Sequence, residues 1–431
     1  MLTARPTLAR RTTELGLLVL TGLITVGGYI LASLGRTASM PANLIPFLVA
    51  LLGLLLLAHL ATRWLAPRAT PVILPVAAFL NGLGYVFVAR LNHRDAGLQA
   101  MWTALGVAAY VATLFFVRRV QLLERYRYLI ALAGIVLLLL PLAPHLGQNI
   151  NGARLWVRLG PVSFQPVELA KIALAVFFAS YLVEKRDLLA TPTSRVGNML
   201  LPDPRPFGPV LFMWGLSMVV MTAERDVGFS LLIFVLFVTT LWVATGRAAY
   251  LGVGAVLFAG GATLMSSLFS HVHERITVWL DPWAHANGIG YQAVQAMYAL
   301  GSGGVTGTGL GLGRPQLIPV VVSDYIYAAI GEELGLLGTT LVLVAFVVLV
   351  GAGLRTAMRS RSDFSSLLAT GLTAILGFQA FFIMAGVVRL LPVTGVTLPF
   401  VAYGGSSLVS NYILIALLVR ISDEEGVARR T

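Results

Sequence analysis

Acidic residues beside long apolar runs are the first candidates for chemistry in this chain. Asp324 follows Ser323 directly before such a run, and a carboxylate there could take a proton from a hydroxyl group within hydrogen-bond distance. Asp and Ser are also favourable helix N-caps, so a structural cap is the alternative interpretation. The residue types alone leave both interpretations open.

Two further carboxylates, Glu332 and Glu333, lie inside the run that follows Asp324. At the rise of an α-helix they stand about 12 Å beyond it, and neighbouring side chains point about 100° apart. One interpretation is an interhelical hydrogen bond to polar groups near Ser406, and the other is a water-filled cavity that reaches into the apolar region.

Glu168 and Lys171 are three residues apart and follow Pro166, a favourable helix start. This spacing puts them on one helix face, where they can form an ion pair. A structural alternative is that Glu168 interacts with the positive end of the helix dipole and that Lys171 neutralises its charge.

Five arginines near the ends of apolar runs could bind phosphate oxygens through their guanidinium groups. They are Arg154, Arg158, Arg225, Arg275 and Arg389. For each of them, a lipid headgroup contact or a local salt bridge is the alternative.

The glycine-rich stretch from Gly301 to Gly313 resembles a phosphate-binding loop only superficially, because no strand precedes it. The chain has no cysteine, and His271, His273 and His285 are too sparse to predict a metal site. No metal ligand is therefore predicted.

The elements that must position these residues are membrane helices. Of the 431 residues, 58% are hydrophobic and only 11% are charged, which excludes a soluble core. Recurrent apolar runs match the roughly 20 residues that a helix needs to cross a bilayer. The prediction is an all-α polytopic integral membrane protein with 10–12 transmembrane helices, in which residues 1–431 form one domain. Twelve runs are predicted as spans, at 15–34, 44–62, 71–89, 98–117, 128–144, 166–184, 207–223, 227–245, 248–270, 326–352, 365–389 and 400–420.

The distribution of basic residues predicts the orientation of these spans. Lys and Arg are concentrated at the termini and in the connections that lie on the same side of the membrane as the N-terminus. Because basic residues are enriched on the cytoplasmic side, this distribution places both termini in the cytoplasm. The net charge of +12 therefore reflects topology and not binding to nucleic acid. Three unusual connections then lie outside: 145–165, the long loop 271–325, and 390–399.

Four long motifs resemble the SEDS family of shape, elongation, division and sporulation proteins, which includes RodA, FtsW and SpoVE. They read NGARLWVRLGPVSFQPVELAK from Asn151, YQAVQAMYALGSGGVTGTGLGLG from Tyr291, SDYIYAAIGEELGLLG from Ser323 and LLPVTGVTLPFVAYGGSS from Leu390. The resemblance covers residues 127–421. It makes residues 1–126 a region of N-terminal spans that contains two more than the family commonly has.

The resemblance implies a peptidoglycan glycosyltransferase of the bacterial cytoplasmic membrane. Such an enzyme joins lipid II units into glycan strands at the outer membrane face and releases undecaprenyl diphosphate. It usually acts with a class B penicillin-binding protein. No cofactor is certain, and a divalent cation is an open possibility.

The resemblance also implies roles for single residues. Asp324 in SDYIY matches the essential aspartate of the family pattern TDFIF, which implies that it is catalytic, as the general base for the acceptor hydroxyl. The residues assigned to substrate binding are Trp156, Glu168, Lys171, Arg275, Glu332, Arg389, Ser406 and Ser407. Two places depart from the pattern: residues 224–226 read ERD where QPD is common, and PVVVS precedes Asp324.

Two other functions fit parts of the sequence. A lipid II flippase or transporter would also use buried acidic residues and helices broken by Gly or Pro. A non-catalytic scaffold would tolerate loss of Asp324. Because the polar residues gather at one predicted outer face, the enzyme is favoured.

Overall fold

The computed structural model describes residues 5–144, 146–150, 153–160, 162–190, 192–196, 199–202 and 205–428. The motif residues Asn151 and Gly152 lie outside the described residues. In these ranges the helices are α1 (Arg5–Thr37), α2 (Leu44–Leu65), α3 (Ile73–Leu91), α4 (His93–Phe116), α5 (Gln121–Arg125), α6 (Arg127–Leu139), α7 (Val167–Ala190), α8 (Gly208–Glu224), α9 (Val227–Thr245), α10 (Ala249–Leu268), α11 (Ser270–Leu280), α12 (Tyr291–Gly303), α13 (Ile326–Arg359), α14 (Asp363–Val387) and α15 (Gly405–Ala428).

Ten helices in the described ranges are long and apolar enough to cross a membrane. They are α1 to α4, α8 with the short turn before it, α9, α10, α13, α14 and α15. Helix α6 is shorter, and α7 carries Glu168, Lys171 and Glu184 among its apolar residues. The prediction of an all-α polytopic membrane protein with 10–12 transmembrane helices is confirmed.

Two predicted external connections contain regular structure. The segment between α10 and α13 holds α11 and α12. The 145–165 connection instead contains an antiparallel sheet of three strands, β1 (Gly147–Ile150), β2 (Ala153–Leu159) and β3 (Val162–Phe164). A second hairpin pairs β4 (Pro192–Val196) with β5 (Met199–Pro202). These short strands lie in connections between helices and were not predicted. The placement of the long 271–325 loop outside the membrane stays a prediction.

The chain forms two compact units. The first comprises residues 1–118, 274–352 and 379–431, and the second comprises residues 119–273 and 353–378. Each unit therefore combines segments that are distant in the sequence.

Close helix packing in the first unit depends on glycine. A Cβ atom at Gly84 would clash with the backbone of Val401, and one at Gly106 would clash with the ring of Tyr412. Gly405 lies against the indole of Trp102 in the same way. Small residues at these positions let α3 and α4 approach α15 and the segment before it, as is usual in membrane bundles.

The core of the second unit is built around α7, which packs against α6 and α9. Ala175, Phe177 and Phe178 of α7 are almost fully buried. Phe178 also meets Phe237 of α9, with ring centroids 5.6 Å apart. The apolar face of α7 thus positions Glu168 and Lys171 at the beginning of the helix.

Candidate functional site

Asp324 lies two residues before α13 begins, at the end of an irregular segment. Its backbone N–H donates to the carbonyl of Val320, at 3.4 Å. Val320 has φ of 51°, a left-handed conformation that is costly for a β-branched residue. In the described part of the chain no backbone amide donates to the Asp324 carboxylate, so the cap that its residue type allowed is not formed.

The environment of Asp324 favours its protonated form. Burial raises the pKa of the Asp324 carboxyl above its usual value, and a hydrogen bond from Ser323 and the charge of Arg275 only partly oppose this rise. Burial likewise raises the pKa of the neighbouring Tyr325 to about 12. A carboxylate with a raised pKa is a stronger base than a solvated one, which suits proton abstraction.

Arg275 joins α11 to the segment that precedes α15. Its Nη1 donates to the carbonyls of Thr394 at 2.7 Å and Val393 at 3.3 Å. Gly395 follows with φ of 78°, and a Cβ there would lie 3.1 Å from Nη2 of Arg275. The guanidinium therefore fixes this segment and contributes positive charge at Asp324.

Arg389 is used in a different way. Its Nη2 donates to the carbonyls of Trp279 at 2.9 Å and Leu280 at 3.2 Å, which end α11. The Trp279 indole N–H donates back to the Arg389 carbonyl, at 3.0 Å. A cation at these carbonyls caps the negative end of the helix. The structure thus gives Arg389 a protein partner, and its predicted role in substrate binding stays a prediction.

Both acidic residues inside α13 bind the glycine-rich loop, which we define as residues 304–314. Glu332 Oε1 accepts from the Arg314 amide at 2.6 Å, and Glu333 Oε2 accepts from the Gly311 amide at 2.9 Å. Glu333 Oε1 lies 2.7 Å from Nε of Arg90. The expectation of a partner near Ser406 is therefore wrong, because the loop and Arg90 occupy both carboxylates.

The glycine-rich loop also replaces helical hydrogen bonds where α13 breaks. Gly335 has φ of 66° and ψ of −161°, which interrupts the helix. Amides of the loop donate to carbonyls of Glu332 and Glu333, and amides beyond Gly335 donate to carbonyls of Gly304 and Val305. Because these backbone groups are paired with α13, the loop acts as a scaffold and not as a phosphate cradle.

Ser406 and Ser407 lie in the first turn of α15 and are buried. Ser407 Oγ accepts from Thr397 at 2.8 Å and from Asn411 at 3.2 Å. The Tyr403 amide donates to the carbonyl of Val322, at 2.8 Å. This bond joins the segment before α15 to Val322, which precedes Asp324 by two residues.

In the second unit, the predicted pair of Glu168 and Lys171 is confirmed. Lys171 Nζ lies 2.5 Å from Glu168 Oε2, and both side chains are almost fully buried. Lys171 also lies over the ring of Phe229, 5.9 Å from its centroid. Trp156 pairs with Gln148 across β1 and β2. Asp324 belongs to the first unit, whereas Trp156, Glu168 and Lys171 belong to the second.

A family model supplies the identification. The FtsW, RodA and SpoVE model, described as cell cycle protein, matches residues 72–426. The chain belongs to this family. The match begins N-terminal to the four motifs, at the start of α3, and leaves α1 and α2 outside it.

Curated relatives within the FtsW, RodA and SpoVE family are named as enzymes. The peptidoglycan glycosyltransferase RodA of Mycobacterium tuberculosis is 42% identical over 428 residues, which cover 97% of this chain and 91% of the relative. A probable peptidoglycan glycosyltransferase FtsW of a Geobacter species is 35% identical over 66% of this chain and 76% of the relative.

Solved structures show the same fold. A crystal structure of the rod shape determining protein RodA of Thermus thermophilus has a TM-score of 0.60 at 23% identity, with coverage of 84% of this chain and 99% of that one. A chain from a structure described as "Structural coordination of polymerization and crosslinking by a peptidoglycan synthase complex" has a TM-score of 0.67, also at 23% identity. It covers 81% of this chain and 96% of its own length.

Two residues that the sequence of this FtsW, RodA and SpoVE family member did not single out contact either the segment before Asp324 or a carboxylate of α13. Tyr403 is one of them, and burial raises the pKa of its hydroxyl, with Asp95 adding to the rise. Arg90 is another, since it binds Glu333 from α3. An arginine at the end of an apolar run signals both a membrane boundary and a buried ion pair, and only the fold separates the two.

Proposed function

We propose that this chain polymerises lipid II into glycan strands at the outer face of the cytoplasmic membrane. It is a peptidoglycan glycosyltransferase, as its curated relatives are named. The observation that carries the mechanism is Asp324: it does not cap its helix, burial raises its pKa, and Arg275 acts on it.

In the proposed reaction, Asp324 is the general base. Its carboxylate takes the proton of the acceptor 4-hydroxyl, and the hydroxyl oxygen attacks the anomeric carbon of the lipid-linked donor. The bond between that carbon and the diphosphate breaks, and undecaprenyl diphosphate leaves with the electron pair. A single displacement inverts the configuration at the anomeric carbon. Asp324 then returns its proton to solvent before the next cycle.

The leaving diphosphate requires positive charge as the bond breaks. Arg275, the cation that acts on Asp324, is the group proposed to supply it. A divalent cation would supply positive charge in the same way, because hard cations favour the oxygen ligands that a diphosphate offers. Among the described residues no group of three or more His, Asp or Glu is placed to hold a metal ion.

The partner and the orientation are part of the same proposal. One structural neighbour is described as belonging to a complex that coordinates polymerisation and crosslinking, which supports a class B penicillin-binding protein as partner. The fuller and more identical match to RodA favours a role in cell shape. The protein is a multi-pass membrane protein, and we place both termini in the cytoplasm on the basis of its basic residues.

The lipid II flippase is the competing function. Its support came from Glu332 and Glu333 as polar groups along a substrate path. In the structure these carboxylates accept hydrogen bonds from the glycine-rich loop, and Glu333 also pairs with Arg90. Their position in α13 is thereby explained without a transport path, which favours the enzyme.

The decisive experiment is reconstitution with fluorescent lipid II, with and without the candidate penicillin-binding partner. Wild type is compared with Asp324→Ala and Asp324→Asn, each checked for folding by size-exclusion chromatography. Glycan ladders that wild type makes and folded variants do not make would support polymerisation with Asp324 as base. Transfer of lipid II across liposomes without ladders would support the flippase. Ladders of wild-type intensity from Asp324→Ala would exclude the base assignment.

A further inference from the structure

The first two helices of the chain lie outside the family match, which begins at residue 72. The match to the Mycobacterium tuberculosis relative covers 97% of the chain, so it must include most of α1 and α2. These helices are therefore shared with some RodA proteins while the general family model omits them. The contacts of α1 and α2 show which parts of the chain these two helices hold in place.

The end of α1 packs backbone to backbone on the glycine-rich loop. A Cβ at Gly35 would clash with the carbonyl oxygen of Leu310 and lie 3.2 Å from Cα of Gly311. A Cβ at Gly311, which has φ of 82°, would lie 2.5 Å from the carbonyl oxygen of Ala32 and 3.0 Å from the Arg36 amide. Glycine is required on both sides of this contact, because each lacks room for a side chain.

The side chain of Leu310 continues the contact. It packs against a buried cluster to which α1, α2, α3 and α4 contribute. The cluster consists of Tyr29, Ala32, Phe47, Val86, Ala89 and Ala96. Phe47 of α2 lies at its centre, with ring centroids 4.6 Å from Tyr29 and 4.7 Å from Tyr85. Both N-terminal helices therefore contribute residues to the cluster against which Leu310 packs.

A polar contact links α1 to the same place. Arg36 Nη1 donates to the carbonyl of Arg90 at 3.1 Å. Arg90 Nη2 donates in turn to the carbonyl of Gly313 at 2.8 Å, and Arg90 Nε lies 2.7 Å from Glu333. The loop is thus held between α1 and α3 on one side and the two carboxylates of α13 on the other.

The opposite end of α1 is also fixed to the bundle. Arg11 binds Glu14 and the carbonyl of Ala69, and Glu14 Oε1 lies 2.8 Å from Nδ1 of His59 in α2. A buried charged group left without its partners is costly, so these contacts hold α1 and α2 together. Helix α1 is anchored at both ends and not peripheral.

The glycine-rich loop leads directly to Asp324. Arg314 ends the loop, and the chain then runs through buried Ile318 and Val321 to Asp324. Gln292 of α12 donates to the carbonyl of Pro319 at 2.6 Å and fixes this path from a second side. A displacement of the loop would therefore move the segment that carries the carboxylate.

We propose that α1 and α2 fix the glycine-rich loop through the end of α1 and the cluster around Leu310, and thereby position Asp324. Gly35 and Leu310 are positioning residues and not catalytic ones. The inference rests on the proposed function, since it concerns the placement of the general base. It predicts that a single methyl group at one face of α1 disturbs catalysis, whereas the same methyl group elsewhere on α1 does not.

Helix α1 provides a matched pair of variants for the test. Gly27→Ala adds a methyl group where nothing lies within 4 Å, and Gly35→Ala adds the same group against the loop. Both substitutions favour the helix equally by propensity, so they differ only in the contact. Leu310→Ala is the third variant; it removes the side-chain packing of Leu310 on the cluster without adding a clash.

Two readouts are compared with wild type. The first is polymerisation of fluorescent lipid II, resolved into kcat and KM. The second is hydrogen exchange of backbone amides in residues 307–324, which reports the loop without requiring activity. For Gly35→Ala and Leu310→Ala we expect kcat to fall at least tenfold with KM changed less than threefold. Exchange should increase in residues 307–324 and stay unchanged in α14. Gly27→Ala should match wild type in both.

Each result separates the inference from the proposed function. If Gly35→Ala and Leu310→Ala match Gly27→Ala in both readouts, the inference is wrong. Increased exchange without a loss of kcat would also overturn it, because the loop would then not position Asp324. If Gly35→Ala does not fold, Leu310→Ala decides. If wild type makes no glycan, the proposed function fails, and unchanged exchange in Leu310→Ala would overturn the structural contact independently.

Discussion

Asp324 and Glu168 are both acidic residues at the beginning of apolar helices, but their neighbours differ. Glu168 forms a direct ion pair with Lys171, at 2.5 Å, and both side chains are almost fully buried. Among the described residues Asp324 forms no such pair. Arg275 acts on it through its charge while donating hydrogen bonds to the carbonyls of Val393 and Thr394.

This difference separates two uses of a carboxylate, one fully buried at Glu168 and one partly buried at Asp324. The ion pair commits the Glu168 carboxylate to a partner in its own helix, so the group contributes to structure. Burial without a direct cation raises the pKa of Asp324, which suits a general base. Loss of the Glu168 carboxylate should therefore lower the stability of the protein, and loss of the Asp324 carboxylate should lower the rate of polymerisation.

Asp324→Asn should have the largest effect of the variants considered, and this effect is on the rate of polymerisation. The amide keeps the size of the side chain and cannot accept the proton of the acceptor hydroxyl. General base catalysis is worth roughly 10²–10⁴-fold, so we expect a loss of that size in kcat for lipid II polymerisation. Thermal unfolding in detergent should stay close to that of wild type, because Asp324 does not cap α13.

Asp324→Glu is the control for this prediction. It keeps a carboxylate and should retain measurable polymerisation at a rate below that of wild type. If Asp324→Asn folds and keeps the wild-type kcat, Asp324 is not the general base, and its difference from Glu168 does not affect catalysis.

The second effect is on stability, from Glu168→Gln. This change leaves Lys171 as a buried charge without its carboxylate partner, and breaking such a pair costs about 3–5 kcal/mol. We expect a clear decrease in the unfolding temperature of the solubilised protein. The measurement is a thermal shift followed by tryptophan fluorescence.

The double variant Glu168→Gln with Lys171→Met sharpens this prediction. It removes both charges together and should recover most of the lost stability, because burying neither charge avoids the desolvation cost. If the double variant is stable but makes no glycan, the pair takes part in substrate binding as well. If Glu168→Gln unfolds at the wild-type temperature, the ion pair does not stabilise the second unit.

The sequence predicts most of the membrane helices because span length is a local property. The run at 365–389 became α14, Asp363–Val387. The separate runs at 207–223 and 227–245 became α8 and α9, which meet at a turn with Arg225 in the left-handed conformation. The break in α13 at Gly335 was not predicted. Its replacement hydrogen bonds come from Gly304 and Val305 in the loop, and hydropathy carries no information about distant backbone partners.

The candidate site was also predictable only where contacts are local in the sequence. Pairing of Glu168 with Lys171 follows from helical spacing, and that prediction is correct. The partners of Glu332 and Glu333 do not follow from spacing, since Gly311, Arg314 and Arg90 are reached only through the fold. Motif resemblance pointed to Asp324, but its missing cap and its burial are tertiary properties.

The smallest expected effect is a change in pH dependence, from Arg275→Gln. Only the ionised form of Asp324 accepts a proton, so the rate falls as the pH falls through the pKa of Asp324. Burial raises this pKa above its ordinary value of 3.8, so the acid limb should lie above that value. Arg275 lowers the pKa, and its removal should therefore shift the acid limb to higher pH.

The measurement is kcat against pH for wild type and three variants. Arg275→Lys keeps the positive charge and should leave the limb near its wild-type position, even if the lost bonds to Val393 and Thr394 lower the rate. Arg314→Gln removes an exposed arginine that does not act on Asp324, so its limb should not move. A limb that moves to lower pH in Arg275→Gln, or moves equally in Arg314→Gln, would contradict the electrostatic link between Arg275 and the proposed base. A shift confined to Arg275→Gln would show that the carboxylate without an ion pair, and not the paired Glu168, sets the pH dependence.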